Sequence, residues 1–423
     1  MFALAGFTNA LNLIDGLDGL ATSVSIIILS TFLYIGYVNQ DDRIVTPLKY
    51  EGALDPILKK GVPLIQETGI PSNMSLLHTI PLETRFRYEY MNEEAKKQEG
   101  APLIYPPALG PGSTIAVVAP ASGSSRSKIN AGIARLQRMG FVVKTSDYLT
   151  KGFGYLAAKD EVRASEFMKY VRDPEVDCIM AVRGGYGCMR ILPLLDFDEI
   201  RANPKVIIGY SDITALVNAV YQKSRMIAFH GPVATSGFDS YSTDSFRRTV
   251  MSAAPAGEFS ESDQFRGSSF VDARASTIVS GRATGRLVGG NLSLVSDTMG
   301  TPYEIDMTGN ILFLEEIAEE PYRVDRMLTQ LVLSGQLARC AGVALGRFTK
   351  CEAPRRGGEF QVSLSLEQVI RTTVEPLGIP TVYGLSIGHI SKKLTIPVGG
   401  LATLDADSKT VTFEEAAVGE FSN

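Results

Sequence analysis

A chain of 423 residues with 45% hydrophobic residues and 40 glycines is long enough for two ordinary domains with their own cores, which excludes a disordered protein. Its net charge is −5, from 41 Lys and Arg against 46 Asp and Glu, and it has no basic run with interleaved aromatics, so a nucleic acid finds no landing surface. The four cysteines, Cys178, Cys188, Cys340 and Cys351, form no CxxC pair and no cluster with histidine; structural zinc and a disulfide scaffold are excluded, and the thiols read as reduced and buried, as in a cytoplasmic protein.

Residues 20–38, LATSVSIIILSTFLYIGYV, carry no charge and are long enough as a helix to cross a hydrocarbon core, which makes them a candidate membrane anchor. A secretory signal would start basic, whereas Asp15 and Asp18 precede the first basic residue, Arg43, so cleavage is disfavoured. Residues 41–100 are rich in Pro and charge without sustained periodicity and read as an unassigned connection.

From residue 101 the pattern becomes regular. A β-branched run, Thr114–Val118, closes in a Pro/Ser/Gly turn and leads into the amphipathic segment 128–140, a βα unit. The alternation continues with strands over 141–146, 176–182, 205–211 and 226–232 and helices over 159–173, 186–195 and 212–224. Such alternation predicts a parallel sheet with helices on both faces over 101–252. The small, polar stretch 253–280 predicts a linker. Beyond it, short strand-like pieces and one clear helix, 321–335, predict a smaller, mostly β domain over 281–423.

Chemistry concentrates in four places. Ser211 sits between the apolar run VIIGY and a helix beginning near Asp212, where a hydroxyl is exposed at the carboxyl edge of the sheet beside a helix N-terminus. This follows the logic of a nucleophile elbow, although the spacing is GYSDIT and not GxSxG; a serine before a helix is also an ordinary N-cap. The loop VRGGYGC, 182–188, allows close backbone approach and supplies an oxyanion donor through the N–H of Gly185, with the N–H of Asp212 as the second. The same loop also reads as a plain tight turn, and it lacks the GxGxxG pattern of a dinucleotide site. Glu315 ends the apolar strand NILFL and is the orienting acid; Glu316 is the fallback, and the cluster with Glu319 and Glu320 also fits a solvated helix start. Of three histidines, His78, His230 and His389, His389 lies in a glycine-flanked turn and is the general base, with His230 as its competitor. A serine hydroxyl needs such a base, and the base needs an acid to hold its tautomer. Arg183 or Arg323 is the candidate partner of a substrate carboxylate, since Arg offers bidentate geometry. No HExxH spacing supports a metallopeptidase.

With these residues in hand, 101–423 resembles the LD-carboxypeptidase family, serine peptidases that trim murein tetrapeptides and include the microcin immunity proteins. The resemblance rests on PPALGPGSTIAVVAPAS (106–122), RGGYG (183–187), GYSDITAL (209–216), FHGP (229–232), GGNLSLVSDTMGTPYEID (289–306), LEEIAEEPYRVDRMLTQL (314–331) and GHISKKLTIPVG (388–399). It implies Ser211 as nucleophile, Glu315 as acid and His389 as base, with main-chain oxyanion contacts from Gly185 and Asp212. It further implies a Rossmann-like domain resembling class I glutamine amidotransferases followed by a β-rich swivelling domain, a homodimer, and no metal or other cofactor. The implied reaction releases the terminal D-alanine of murein tetrapeptide in cell-wall recycling. An immunity-type amidase acting on a peptidyl-nucleotide toxin and a non-catalytic, membrane-tethered muropeptide-binding protein are the alternatives. Residues 1–40 resemble instead the aspartate motif of polyprenyl-phosphate N-acetylhexosamine-1-phosphate transferases, at Asp15 and Asp18. Those enzymes need many membrane helices around that motif, so this part reads as a remnant without transferase activity.

Overall fold

The computed structural model describes residues 101–150, 152–353 and 362–421; the candidate membrane anchor 20–38, Asp15, Asp18, the 41–100 connection and His78 lie outside these. Among the described residues no helix is long and apolar enough to cross a membrane.

Two sheets carry the fold. The first contains β1 (Thr114–Val118), β2 (Val142–Thr145), β3 (Cys178–Ala181), β4 (Val206–Gly209) and β5 (Ala228–His230), all parallel. Their order, 2-1-3-4-5, is a doubly wound one, in which ligand sites form outside the carboxyl ends of the strands near the point where the order reverses. The runs that form β3 and β4 are buried at every position because helices cover both faces, which is why they read as continuous apolar stretches and not as alternation. Three expected helices lie at Arg126–Arg138, Asp160–Arg172 and Thr214–Ser224. The one expected over 186–195 is broken: Cys188–Ile191 is followed by a 3₁₀ turn over Leu192–Leu194 that has Pro193 within it. Two further helices, Phe197–Ala202 and Ser240–Val250, each begin at an aspartate whose side chain accepts a backbone N–H of the first turn.

The second sheet has eight strands: β6 (Gly257–Phe259), β7 (Ser276–Val279), β8 (Arg282–Asn291), β9 (Ile311–Ile317), β10 (Gly342–Thr349), β11 (Thr381–Tyr383), β13 (Leu401–Asp405) and β14 (Thr410–Phe413). Its centre, β8 to β11, is parallel, so this half is mixed α/β. Helices Leu292–Asp297, Pro321–Leu333 and Leu366–Thr373 provide the crossovers that parallel pairing requires. The stretch expected as a linker carries β6 and β7, both in the second sheet. A later strand, β12 (Ile396–Val398), crosses back to pair antiparallel with β5 of the first.

The two sheets are joined beside β4 by buried polar contacts. Asn218, on the helix that follows Ser211, donates to the carbonyl of Gly289 (2.7 Å) and accepts from its N–H (3.2 Å), and Thr214 Oγ1 accepts from Asn291 N–H (3.0 Å). These satisfied buried groups lock the start of that helix to β8, the neighbour of β9.

Candidate active site

Ser211 follows β4 through the extended residue Tyr210 (φ −144°, ψ −177°) and opens a 3₁₀ turn that runs into the helix Thr214–Ser224. Its own φ is +66°. The left-handed region costs a residue with a β-carbon about 1–2 kcal/mol, and strain of this kind persists only where the surroundings enforce it. The strand-to-helix reversal lifts the hydroxyl into a cleft of about 250 Å³ lined by Lys128, Arg183, Gly185, Tyr210, Ser211 and His389 among others. Gly184 makes room for it: a β-carbon there would lie 2.8 Å from Ser211 Cβ and 2.9 Å from Oγ.

The second sheet brings up the other polar groups. Adjacent residues on a strand face opposite sides, and Glu315 and Glu316 on β9 divide accordingly. Glu315 is fully buried and its Oε2 lies 2.7 Å from His389 Nδ1; its Oε1 accepts from Asn291 Nδ2 (3.3 Å). Glu316 accepts instead from Ser293 N–H (2.8 Å), Ser293 Oγ (2.7 Å) and Asn291 Nδ2 (2.9 Å), and so serves the first turn of the helix Leu292–Asp297. Burial pushes both carboxyls up. For Glu316 burial prevails, whereas for Glu315 the hydrogen bond and charge of His389, with smaller help from His230 and Asn291, outweigh it and hold the group below its ordinary value. Glu315 therefore remains a carboxylate in an apolar interior because it is paired.

His389 comes close to Glu315 through Gly388, whose φ is +118° and where a β-carbon would sit 2.7 Å from Glu315 Oε2. Its ring packs edge-on against Tyr210 at 4.9 Å and is 15% exposed. The loop that carries it is held from outside by Gln264, whose Oε1 accepts from Ser391 Oγ (2.7 Å) and Lys392 N–H (3.2 Å).

The competitor, His230, is a core residue. It is buried between Tyr210 and Phe313, its Nδ1 has no hydrogen-bond partner among the described residues, and burial pushes its pKa from 6.5 down to about 4. Because the folded-state value lies below the unfolded one, the unfolded chain takes up the extra proton first as pH falls from about 6.5 to about 4. His230 therefore lowers stability through that window, by on the order of 3 kcal/mol once complete. Replacing it in His230→Gln should flatten the fall in unfolding free energy between these pH values; equal slopes for the two proteins would show that His230 does not titrate this way.

Of the remaining expected residues, Arg183, Gly185 and Ser211 line the cleft. The N–H groups of Gly185 and Asp212 take no acceptor among the described residues. Arg323 is not brought there: it is 52% exposed on the helix Pro321–Leu333, paired with Glu319 at 3.7 Å and set over the Tyr322 ring. Sequence reasoning missed Lys128, a cation one turn into the helix after β1, whose signal was its place in the first βα unit. No carboxylate side chain among the described residues lines the cleft. Among the described residues, no group of three or more His, Cys, Asp or Glu side chains is arranged to hold a metal.

Residues 115–231 match the LD-carboxypeptidase N-terminal domain and residues 284–404 the LD-carboxypeptidase C-terminal domain. A protein of Bacillus subtilis described as a probable murein peptide carboxypeptidase is 37% identical over 314 residues, covering 73% of this chain and 94% of that protein. The chain belongs to the LD-carboxypeptidase family. Its members are serine peptidases, so this chain is a hydrolase of that class. Within the family it is also similar to the microcin C7 self-immunity protein of Escherichia coli, 28% identical over 342 residues, covering 74% of this chain and 96% of that protein. Among solved structures, a muramoyltetrapeptide carboxypeptidase from Oxalobacter formigenes superposes with a TM-score of 0.60 at 30% identity, covering 72% of this chain and all of that one. Residues 1–49 match a separate family, glycosyl transferase family 4, in line with the resemblance of the N-terminal aspartate motif.

Proposed function

We propose that Ser211, His389 and Glu315 form a Ser-His-Glu triad that removes the terminal D-alanine from murein tetrapeptide. Ser211 Oγ attacks the carbonyl of the L-configured diamino-acid centre while His389 takes its proton. Glu315, holding Nδ1, keeps the other ring nitrogen unprotonated for that task and stabilises the imidazolium that forms. The N–H groups of Gly185 and Asp212 receive the developing oxyanion. Collapse breaks the C–N bond, His389 returns its proton to the departing D-alanine amine, and water then hydrolyses the acyl-serine ester by the same relay. The observation that carries this assignment is the 2.7 Å contact of a fully buried carboxylate with His389, which lines one cleft with a serine at φ +66°.

The cleft is smaller than the roughly 300–1,000 Å³ typical of a drug-sized ligand. It suits the scissile bond and one small residue, with the rest of the peptide outside. Lys128 and Arg183, with no carboxylate beside them in the lining, suit the free carboxylate of that residue. Arg183→Gln or Lys128→Gln should raise KM about 10-fold or more, the loss of a charge-assisted hydrogen bond, whereas Arg323→Gln should leave both constants unchanged. Unaltered kinetics in both cleft variants would remove the carboxylate role from these residues.

A second reading, cleavage of a peptidyl-nucleotide toxin, is favoured by one feature. Tyr155 and Tyr186 form an exposed aromatic pair, 67% and 53% accessible, with centroids 5.3 Å apart next to Gly185, and a base can stack there. Mass-spectrometric detection of D-alanine released by the full chain from disaccharide tetrapeptide, beside hydrolysis of an aminoacyl sulfamoyl adenosine, tests the assignment. Turnover of the nucleotide alone would overturn the murein reading.

A further inference from the structure

In the loop Arg183–Cys188 the N–H groups of Tyr186 and Cys188 are taken by side chains, and following the second of them singles out two buried charges. Tyr186 N–H goes to Ser122 Oγ (3.2 Å), which itself donates to Tyr155 O (2.6 Å). Cys188 N–H goes to Asp212 Oδ2 (2.8 Å). The carbonyl of Gly187 accepts from Arg163 Nη1 (2.9 Å). Arg163 is wholly buried, ion-paired with Asp160, and also donates to Ala158 O (3.1 Å) and Pro120 O. The peptide between Gly187 and Cys188 is thus gripped at its oxygen by a guanidinium and at its nitrogen by a carboxylate. Asp212 is itself 3% exposed. Burial pushes its pKa up, and hydrogen bonding from Cys188 opposes that.

We infer that Asp212 and Arg163 are positioning residues that hold this peptide in place and so aim the N–H of Gly185 at the oxygen of the carbonyl that Ser211 attacks. The inference rests on the oxyanion assignment above. Asp212 stands on both sides of the site: its main chain is the second donor and its side chain fixes the loop that bears the first. The separation of the two donors is then set by one residue. Donors of this kind are effective because they are fixed before charge develops. Neither side chain needs to touch the substrate.

In the full chain, Asp212→Asn keeps the shape but loses the charge and one of two acceptor oxygens. It should lower kcat about 10- to 100-fold, less than the roughly 10²–10³ that removal of a whole oxyanion donor costs, with KM within about threefold. Inhibition by a tripeptide aldehyde of the murein stem sequence, whose serine adduct places an anionic oxygen between the same donors, should weaken by a similar factor. Binding of the intact tetrapeptide in the Ser211→Ala background should not change when Asp212→Asn is added. Arg163→Lys, which keeps a cation but loses the fork, should show the same split more weakly. A well-folded Asp212→Asn protein with wild-type kcat, or one whose loss in kcat is matched by loss of ground-state tetrapeptide binding, would overturn the inference. Activity surviving in Ser211→Ala would instead bring down the triad, so the two failures are distinguishable.

Discussion

Ser211→Ala should lower D-alanine release by at least about 10⁴-fold, because loss of a nucleophile in a serine peptidase removes the triad as a unit and leaves only binding and oxyanion stabilisation. Alanine keeps the β-carbon and with it the left-handed strain at φ +66°, so its thermal stability should stay close to that of the wild type. Ser211→Gly should be equally inactive but more stable, by up to about 1–2 kcal/mol less the backbone entropy that glycine loses on folding. Inactivity with a raised melting temperature would mark the position as one where conformational strain is maintained for chemistry. Substantial release by Ser211→Ala would remove serine catalysis from this residue.

Glu315→Gln should cost about 10³–10⁴ in kcat with little change in KM. The glutamine fills the same buried volume against His389, yet an amide that donates to Nδ1 stabilises the tautomer protonated on the far nitrogen, which cannot take the serine proton; an amide in place of the triad acid costs about 10⁴ in a related constellation. Since Glu315 is held below its ordinary carboxyl value chiefly by His389, its contribution to stability is present above the unfolded carboxyl pKa and is lost as pH falls through the lower folded one. The variant should therefore also be less stable at neutral pH and show a weaker acid dependence. Glu316→Gln provides the contrast: its partners are Ser293 and Asn291, so the loss should appear in stability and not in kcat. If the two variants exchanged these phenotypes, Glu316 and not Glu315 would be the acid.

Much of the first sheet was legible because each buried strand there is a short apolar run bounded by turn residues, and each covering helix shows its own periodicity. The second sheet was less so. The strands Gly257–Phe259 and Ser276–Val279 are short edge pieces in polar surroundings, with too few residues to show alternation. The return of Ile396–Val398 to pair with Ala228–His230 joins segments more than 160 residues apart, and no local pattern records such a partner. The helix Ser240–Val250 hid in the polar run SYSTDSFRRTV because Ser242, Ser245 and Thr249 share its buried face with Phe246 and Val250, and the two serine hydroxyls bond to the chain after His389: Ser242 Oγ takes Lys393 N–H (2.9 Å) and Ser245 Oγ takes Thr395 N–H (2.9 Å).

For the site, the sequence by itself determined the residue types and their junctions: a serine between strand and helix, a glycine loop after another strand, an acidic pair closing a third, and a histidine after a glycine. Local chain chemistry sets these, since strand runs, turn glycines and helix starts are decided within a few residues. Tertiary structure alone decided which of each pair mattered. Glu315 and Glu316 differ only in which face of one strand they occupy, and His230 and His389 only in whether the surrounding chain leaves the ring accessible. Arg183 and Lys128 share a cleft that Arg323 does not reach because position around the sheet, and not distance along the chain, determines what a long side chain can meet. The two charges that grip the Gly187–Cys188 peptide each lie 24 residues along the chain from the atom they bind; their partnership exists only once the helix Asp160–Arg172 and the loops after β3 and β4 come together.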